Sequence, residues 1–133
     1  MKEKILVVGG TGFIGYHVLK NFSSKKYLLY SLSKNKPIKE KRIKKVKYLY
    51  CDITNYKNLQ KKLSDEFDHV INLSGYIDHS KKKENILCHY YGSKNLIDIF
   101  KLKNIQTYIQ IGSSLEYGNL KSPQIEKKKI VNQ

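Results

Sequence analysis

The sequence predicts an α/β fold built on a doubly wound parallel sheet. Three observations carry that prediction. Apolar runs of strand length alternate with stretches of helical periodicity, in the order β-α-β-β-α-β-α-β. The first run, Lys4–Gly9 (KILVVG), is apolar without alternation, as expected of a strand covered on both faces. A glycine-rich turn, GGTGFIG, follows it directly and opens a helix. Right-handed crossovers then lead to the strand order 3-2-1-4-5.

Each element has its own signal. Phe13, Ile14, Val18, Leu19 and Phe22 fall at helical spacing, so a helix runs to about Ser23. Tyr27–Leu32 reads as the second strand. The polar, basic stretch Ser33–Lys45 is broken by Pro37 and reads as a loop. Val46–Tyr50 is the third strand. Asp52-Ile-Thr-Asn leads into a helix starting near Thr54, with Tyr56, Leu59 and Leu63 on one face. His69–Ser74 is the fourth strand, ended by Gly75, and Gly75–Lys83 is a loop. One long helix is expected over about Glu84–Lys101, burying Cys88, Gly92, Leu96 and Ile99. Gly92 lowers helix propensity there, which close packing on the sheet would explain. Thr107–Ile111 is the fifth strand, GSSLEYG follows at Gly112–Gly118, and a polar tail holds Pro123.

The glycine turn carries the chemistry. Gly9, Gly12 and Gly15 have GxxGxxG spacing between a buried strand and a helix. Gly9 permits a tight turn, Gly12 lets the backbone approach a pyrophosphate, and Gly15 lets the helix pack close to the strand. The helix start offers free N–H groups and a positive dipole end to phosphates. A ligand-free turn would need only one glycine.

In this spacing the motif resembles the short-chain dehydrogenase/reductase superfamily, and GGTGFIG is similar to its extended branch, the NAD-dependent epimerase/dehydratase family. Four further stretches support the resemblance in order: Asp52-Ile53, Leu73-Ser74-Gly75, Gly92-Ser-Lys-Asn-Leu-Ile97 and Ser113-Ser-Leu-Glu-Tyr-Gly118. It covers Lys4 to Gly118. The resemblance implies a Rossmann-like NAD(P)-binding domain acting on a nucleotide-sugar substrate, as epimerase, dehydratase or reductase. Gly9, Gly12, Phe13, Ile14 and Gly15 would hold the pyrophosphate. Asp52 and Ile53 would contact adenine, and Leu73, Ser74 and Gly75 would lie beside the nicotinamide ribose. Ser113, with Ser114 as fallback, would hydrogen-bond the reacting oxygen.

Alternatives stand beside these roles. Ser113 can be a strand-end hydroxyl, and Asp52 can cap the following helix. At the end of the second strand, Ser33 and Lys34 stand where an acidic residue would bind the ribose of NAD. A hydroxyl and a cation suit a 2′-phosphate, so NADP is favoured over NAD, unless Lys34 is simply one of many solvated lysines. His89 occupies a position where the family usually carries Asn, and it either faces the site or packs on the sheet.

The family's catalytic Tyr-x-x-x-Lys pair is expected on the helix after the serine motif, beyond Gln133. The chain therefore reads as residues 1–133 of an incomplete cofactor domain, inactive alone, without the later strands and the substrate domain. Tyr16/Lys20, Tyr30/Lys34, Tyr90/Lys94 and Tyr117/Lys121 have the spacing, but 11 Tyr and 25 Lys in 133 residues make about two such matches by chance. Pro123 argues against a helix presenting Tyr117 and Lys121.

Composition bounds the rest. A formal charge of +15 points at first to nucleic acid. Yet there are 25 Lys against the single Arg42, 15 Ile and no Ala, the profile of an A+T-rich coding sequence. Specific nucleic-acid readers favour Arg, so any such binding would be sequence-independent and salt-steep. Cys51 and Cys88 lack CxxC spacing, and the histidines form no metal pattern. A hydrolase triad of Asp78, His79 and Ser113 lacks the nucleophile-elbow glycines. No run is long enough to span a bilayer, and Met1–Val8 is no secretory signal, so a cytoplasmic location is expected. The fifth strand would be an open apolar edge, which favours a homodimer or a stand-alone interaction module.

Overall fold

The computed structural model describes residues 1–75 and 80–113. Strands β1 (Lys4–Val8), β2 (Leu28–Ser33), β3 (Val46–Tyr50), β4 (His69–Asn72) and β5 (Thr107–Gln110) form one parallel sheet in the order β3-β2-β1-β4-β5. This is the expected doubly wound order. Helix α1 (Phe13–Phe22) joins β1 to β2, and α2 (Tyr56–Lys62) joins β3 to β4.

The first strand shows why its apolar run does not alternate. Ile5 and Val7 enter one core with Leu19, Leu29 and Val46. Leu6 and Val8 enter the other, with Leu32, Leu59, Phe67, Val70, Leu96 and Phe100. Each such side chain contributes roughly 1.5–3 kcal/mol when fully buried. Phe67 anchors the larger core, with its ring edge-on to Tyr30 at 5.1 Å and to Phe100 at 6.2 Å.

Several boundaries depart from expectation: β2 begins at Leu28, β4 ends at Asn72 and β5 at Gln110, and three further differences have a clear cause. Ser33 belongs to β2, because its carbonyl accepts from Cys51 N at 3.1 Å and so continues the ladder to β3. The second helix begins at Tyr56 rather than near Thr54, since Asn55 is its N-cap and accepts from Asn58 N. The long helix starts at Lys82 and is not uniform. It runs as α3 (Lys82–Ile86), a π-helical turn (Leu87–Gly92) and α4 (Ser93–Phe100). Gly92, Leu96 and Ile99 are buried, as expected, whereas Cys88 is half-buried. Gly92 packs not on a strand but on the loop after β3, where a Cβ would lie 2.5 Å from Ile53 Cδ1.

Candidate active site

A cleft of about 690 Å³ opens at the carboxyl ends of β1 to β4. It lies where the chain turns from building one side of the sheet to building the other, the place where open α/β sheets bind ligands. Residues 8, 9, 11, 12, 32–35, 51–54 and 73–75 line it, with Glu84, Leu87 and Cys88 from the helix opposite.

The glycine turn forms its floor. Gly9 has φ +82°, a left-handed conformation that side chains disfavour. Gly9 N donates to Leu32 O at 2.8 Å, and Gly12 N donates to Gly9 O at 3.1 Å. Gly12 then caps α1, with no side-chain cap and no acidic residue in the first turn. The first N–H groups of α1 thus keep their positive end uncompensated beside the cleft. A Cβ on Gly12 would meet only Gly9 O, at 3.3 Å, so the space beside it is open for a ligand. This donor set suits a pyrophosphate. At Gly15 the contact differs from the expected one. A Cβ there would lie 2.2 Å from Gly9 O, so α1 packs on the turn itself.

Ser33 Oγ is buried and accepts from Thr11 N at 3.2 Å, pinning the glycine turn to the end of β2. Beside it, Lys34 Nζ lies 3.5 Å from Asp52 Oδ2 across the cleft mouth. Asp52 Oδ1 accepts from Thr54 N at 2.9 Å and Thr54 Oγ1 at 2.7 Å. Burial alone would raise the Asp52 carboxyl, but these hydrogen bonds and Lys34 outweigh it and hold the pKa below its ordinary value. Asp52 therefore shapes the turn that leads to α2, while the cap itself is Asn55. Burial, and secondarily the Asp52 charge, pushes both the Cys51 and Cys88 thiols up.

The fourth-strand end is held by a residue that sequence reasoning missed. Asn72 is fully buried. Its Oδ1 accepts from Ser74 N and Ser74 Oγ, and its Nδ2 donates to Gln110 Oε1 at 2.8 Å and Ser93 Oγ at 3.3 Å. One side chain thus ties the Leu73–Gly75 turn to β5 and α4. The available signal was a polar residue in the middle of HVINLS.

A family model described as the NAD dependent epimerase/dehydratase family matches residues 5–132. The chain belongs to this family. Solved structures agree on the fold. The UDP-Glc/GlcNAc 4-epimerase of Campylobacter jejuni matches with TM-score 0.86 at 20% identity, over 97% of this chain and 43% of that one. The Helicobacter pylori ADP-L-glycero-D-manno-heptose-6-epimerase matches at 0.84 and 23%, over 97% and 45%. The Bordetella bronchiseptica enzyme WbmG, in complex with NAD and UDP, matches at 0.86 and 16%, over 98% and 44%. The chain spans about two fifths of the length of these structures. Comparison with curated proteins returned no match.

Most of the singled-out positions meet in one cleft of this epimerase/dehydratase-family chain: Gly9, Gly12, Ser33, Lys34, Asp52, Ile53, Leu73, Ser74 and Gly75. Phe13 and Ile14 do not line it; their side chains are exposed, and only their backbone belongs to the start of α1. Ser113 lies just past β5 and is exposed. His89 faces the site end of the fold, because a Cβ on Gly75 would lie 2.7 Å from its Cε1. Ser114, Tyr117, Lys121, Pro123, Asp78 and His79 lie outside the described residues. Among the described residues no cluster of potential metal ligands occurs, and no helix is long and apolar enough to cross a membrane.

Proposed function

We propose that this chain is the dinucleotide-binding part of an enzyme that moves hydride between NAD or NADP and a nucleotide-activated sugar, as epimerase, dehydratase or reductase. One observation carries the reading: the glycine turn and the uncapped start of α1 face a cleft at the switch point of the sheet. The adenosine half would lie between Lys34 and Asp52–Ile53, and the nicotinamide half beside Leu73–Gly75. Lys34 favours NADP. Its bridge to Asp52 is exposed at both ends and therefore weak, so a 2′-phosphate can take the ammonium. Ser113 would hydrogen-bond the reacting sugar oxygen. The Tyr-x-x-x-Lys spacings among the described residues fall on α1, β2 and the π turn into α4, not after β5. The one such spacing after β5, Tyr117/Lys121, is closed by Pro123, so dinucleotide binding without turnover is the behaviour proposed for these residues.

Thermal unfolding with NADP and with NAD tests this. A ligand at a hundred times its Kd stabilises by about 2.7 kcal/mol. No shift with either nucleotide would sink the cofactor reading, and turnover of a nucleotide sugar in a coupled assay would sink the inactivity.

A second reading rests on β5. Among the described residues it pairs only with β4, and Ile109 and Ile111 are about half exposed. An open apolar edge of this kind supports a stand-alone binding module that pairs with a second copy. A stable dimer in light scattering that Ile109→Lys converts to monomer would favour it; a monodisperse monomer would remove it.

A further inference from the structure

The basic charge is not spread along the chain. Residues 34–47 carry eight basic side chains against the one carboxylate of Glu40, so +7 of the chain's +15 sits in 14 of 133 residues. Compositional bias alone would distribute lysine evenly. The chain's single arginine, Arg42, also lies here. The segment connects β2 to β3, and β3 pairs only with β2 among the described residues, so the cluster borders an open sheet edge. Several of its cations lie over aromatic faces. Arg42 Cζ lies 5.1 Å from the Tyr48 ring centre, Lys36 Nζ 5.8 Å from Tyr50, and Lys41 Nζ 5.5 Å from Tyr16 on α1.

We propose that this edge, residues 36–47 with the neighbouring tyrosines, is a binding surface for single-stranded nucleic acid, read without sequence preference. Cations fixed over aromatic rings along an exposed edge suit a flexible phosphate backbone, which can follow them as a duplex cannot. A lipid surface fits less well. Insertion needs an apolar face, and Ile38 is the one exposed large hydrophobic residue of the segment. The surface extends outward from the cleft mouth at Lys34, so a bound dinucleotide and a bound strand occupy different places.

Fluorescence anisotropy of a labelled twenty-nucleotide oligothymidylate tests the proposal across a salt series. Four to six phosphate contacts give a log–log salt slope of about −3 to −4. The variant K39Q/K41Q/R42Q/K44Q should lose about tenfold or more in affinity and flatten that slope by more than one unit. A control with the same charge change elsewhere, K57Q/K61Q/K82Q/K83Q on α2 and α3, should stay within about threefold of the parent. Circular dichroism confirms that both variants fold. Equal loss in the two variants would overturn the proposal, because binding would then follow total charge. So would the absence of binding at physiological salt, displacement of the strand by saturating NADP, or binding to phosphatidylserine vesicles without binding to the oligonucleotide.

Discussion

Asn72 offers the sharpest test of how the cleft is supported. Replacing it with alanine removes four hydrogen bonds from a fully buried position at the end of β4. Gln110 is exposed and Ser93 half-buried, so both can turn to water. The Ser74 N–H and hydroxyl are less free, because the turn that carries them is set by Asn72. Counting a net 0.5–1.5 kcal/mol per bond, with two fully lost and a small cavity added, Asn72→Ala destabilises by about 2–4 kcal/mol. That is a large share of the roughly 5–15 kcal/mol available to a domain. The chain has no tryptophan, so urea unfolding is followed by far-UV circular dichroism. NADP affinity, measured below the unfolding transition, should fall as well, since the Leu73–Gly75 turn loses its tether. Gln110→Ala serves as the comparison; it removes the bond from Asn72 and two longer ones, from Tyr108 Oη at 3.4 Å and to Ile111 O at 3.3 Å, at an exposed site where water replaces them, and should cost under about 1 kcal/mol. If Asn72→Ala stays within about 0.5 kcal/mol of the parent, or Gln110→Ala matches it, Asn72 does not hold the turn.

Three further outcomes follow from the geometry. Ser31 Oγ is buried and has no hydrogen-bond partner among the described residues, and a Cβ on Gly10 would lie 2.3 Å from it. Ser31→Ala should therefore leave stability unchanged or raise it by up to about 1 kcal/mol in urea unfolding, and a clear loss would mean the hydroxyl has a structural role. Gly9→Ala should cost more than Gly75→Ala. At Gly9 the φ of +82° adds about 1–2 kcal/mol of strain and the crowding atoms are Leu73 and Ser74 backbone, whereas at Gly75 the obstacle is a side chain, the His89 ring. His89→Ala should relieve Gly75→Ala and leave Gly9→Ala unchanged; the reverse order would refute the distinction. The depressed Asp52 pKa contributes stability that is present above its unfolded value of about 3.9 and is lost as pH falls through the lower folded value. Asp52→Asn should accordingly flatten the acid limb of the stability curve below about pH 4, and an unchanged limb would show that the Thr54 and Lys34 contacts carry no net preference for the carboxylate.

The fold was legible because two strong periodicities agreed with one turn. KILVVG reads as a strand covered on both faces, and Ile5 and Val7 do face away from Leu6 and Val8 into separate cores. The parallel order then follows from handedness, which needs no side-chain detail. The π turn was not legible. Its residues, LCHYYG, have ordinary helical character, and what distinguishes the segment is a contact between Gly92 and Ile53 that is remote in sequence. Boundaries near Thr54 failed for a related reason. Asp52 and Asn55 are both good capping residues, and only the backbone geometry shows that Asn55 takes the cap while Asp52, three residues earlier, closes a turn onto Thr54 N.

The site shows the same division between local and distant causes. Spacing identified Gly9, Gly12 and Gly15, because their roles are set within one turn. It did not identify Gly10, whose missing Cβ makes room for Ser31 on the neighbouring strand. It placed Ser33 and Asp52 in the cleft but not their partners, Thr11 N and Thr54. Those partners matter for what the cleft can do. Ser33 Oγ already accepts the bond that holds the glycine turn, so its remaining capacity toward a ribose or phosphate is its hydroxyl proton and one lone pair, on a side chain that is no longer free to turn. Lys34 is then the side chain with unspent charge at the mouth, tied only by an exposed bridge. Discrimination between NADP and NAD should therefore respond to Lys34→Gln far more than to Ser33→Ala, while Ser33→Ala should loosen the turn and weaken both nucleotides alike.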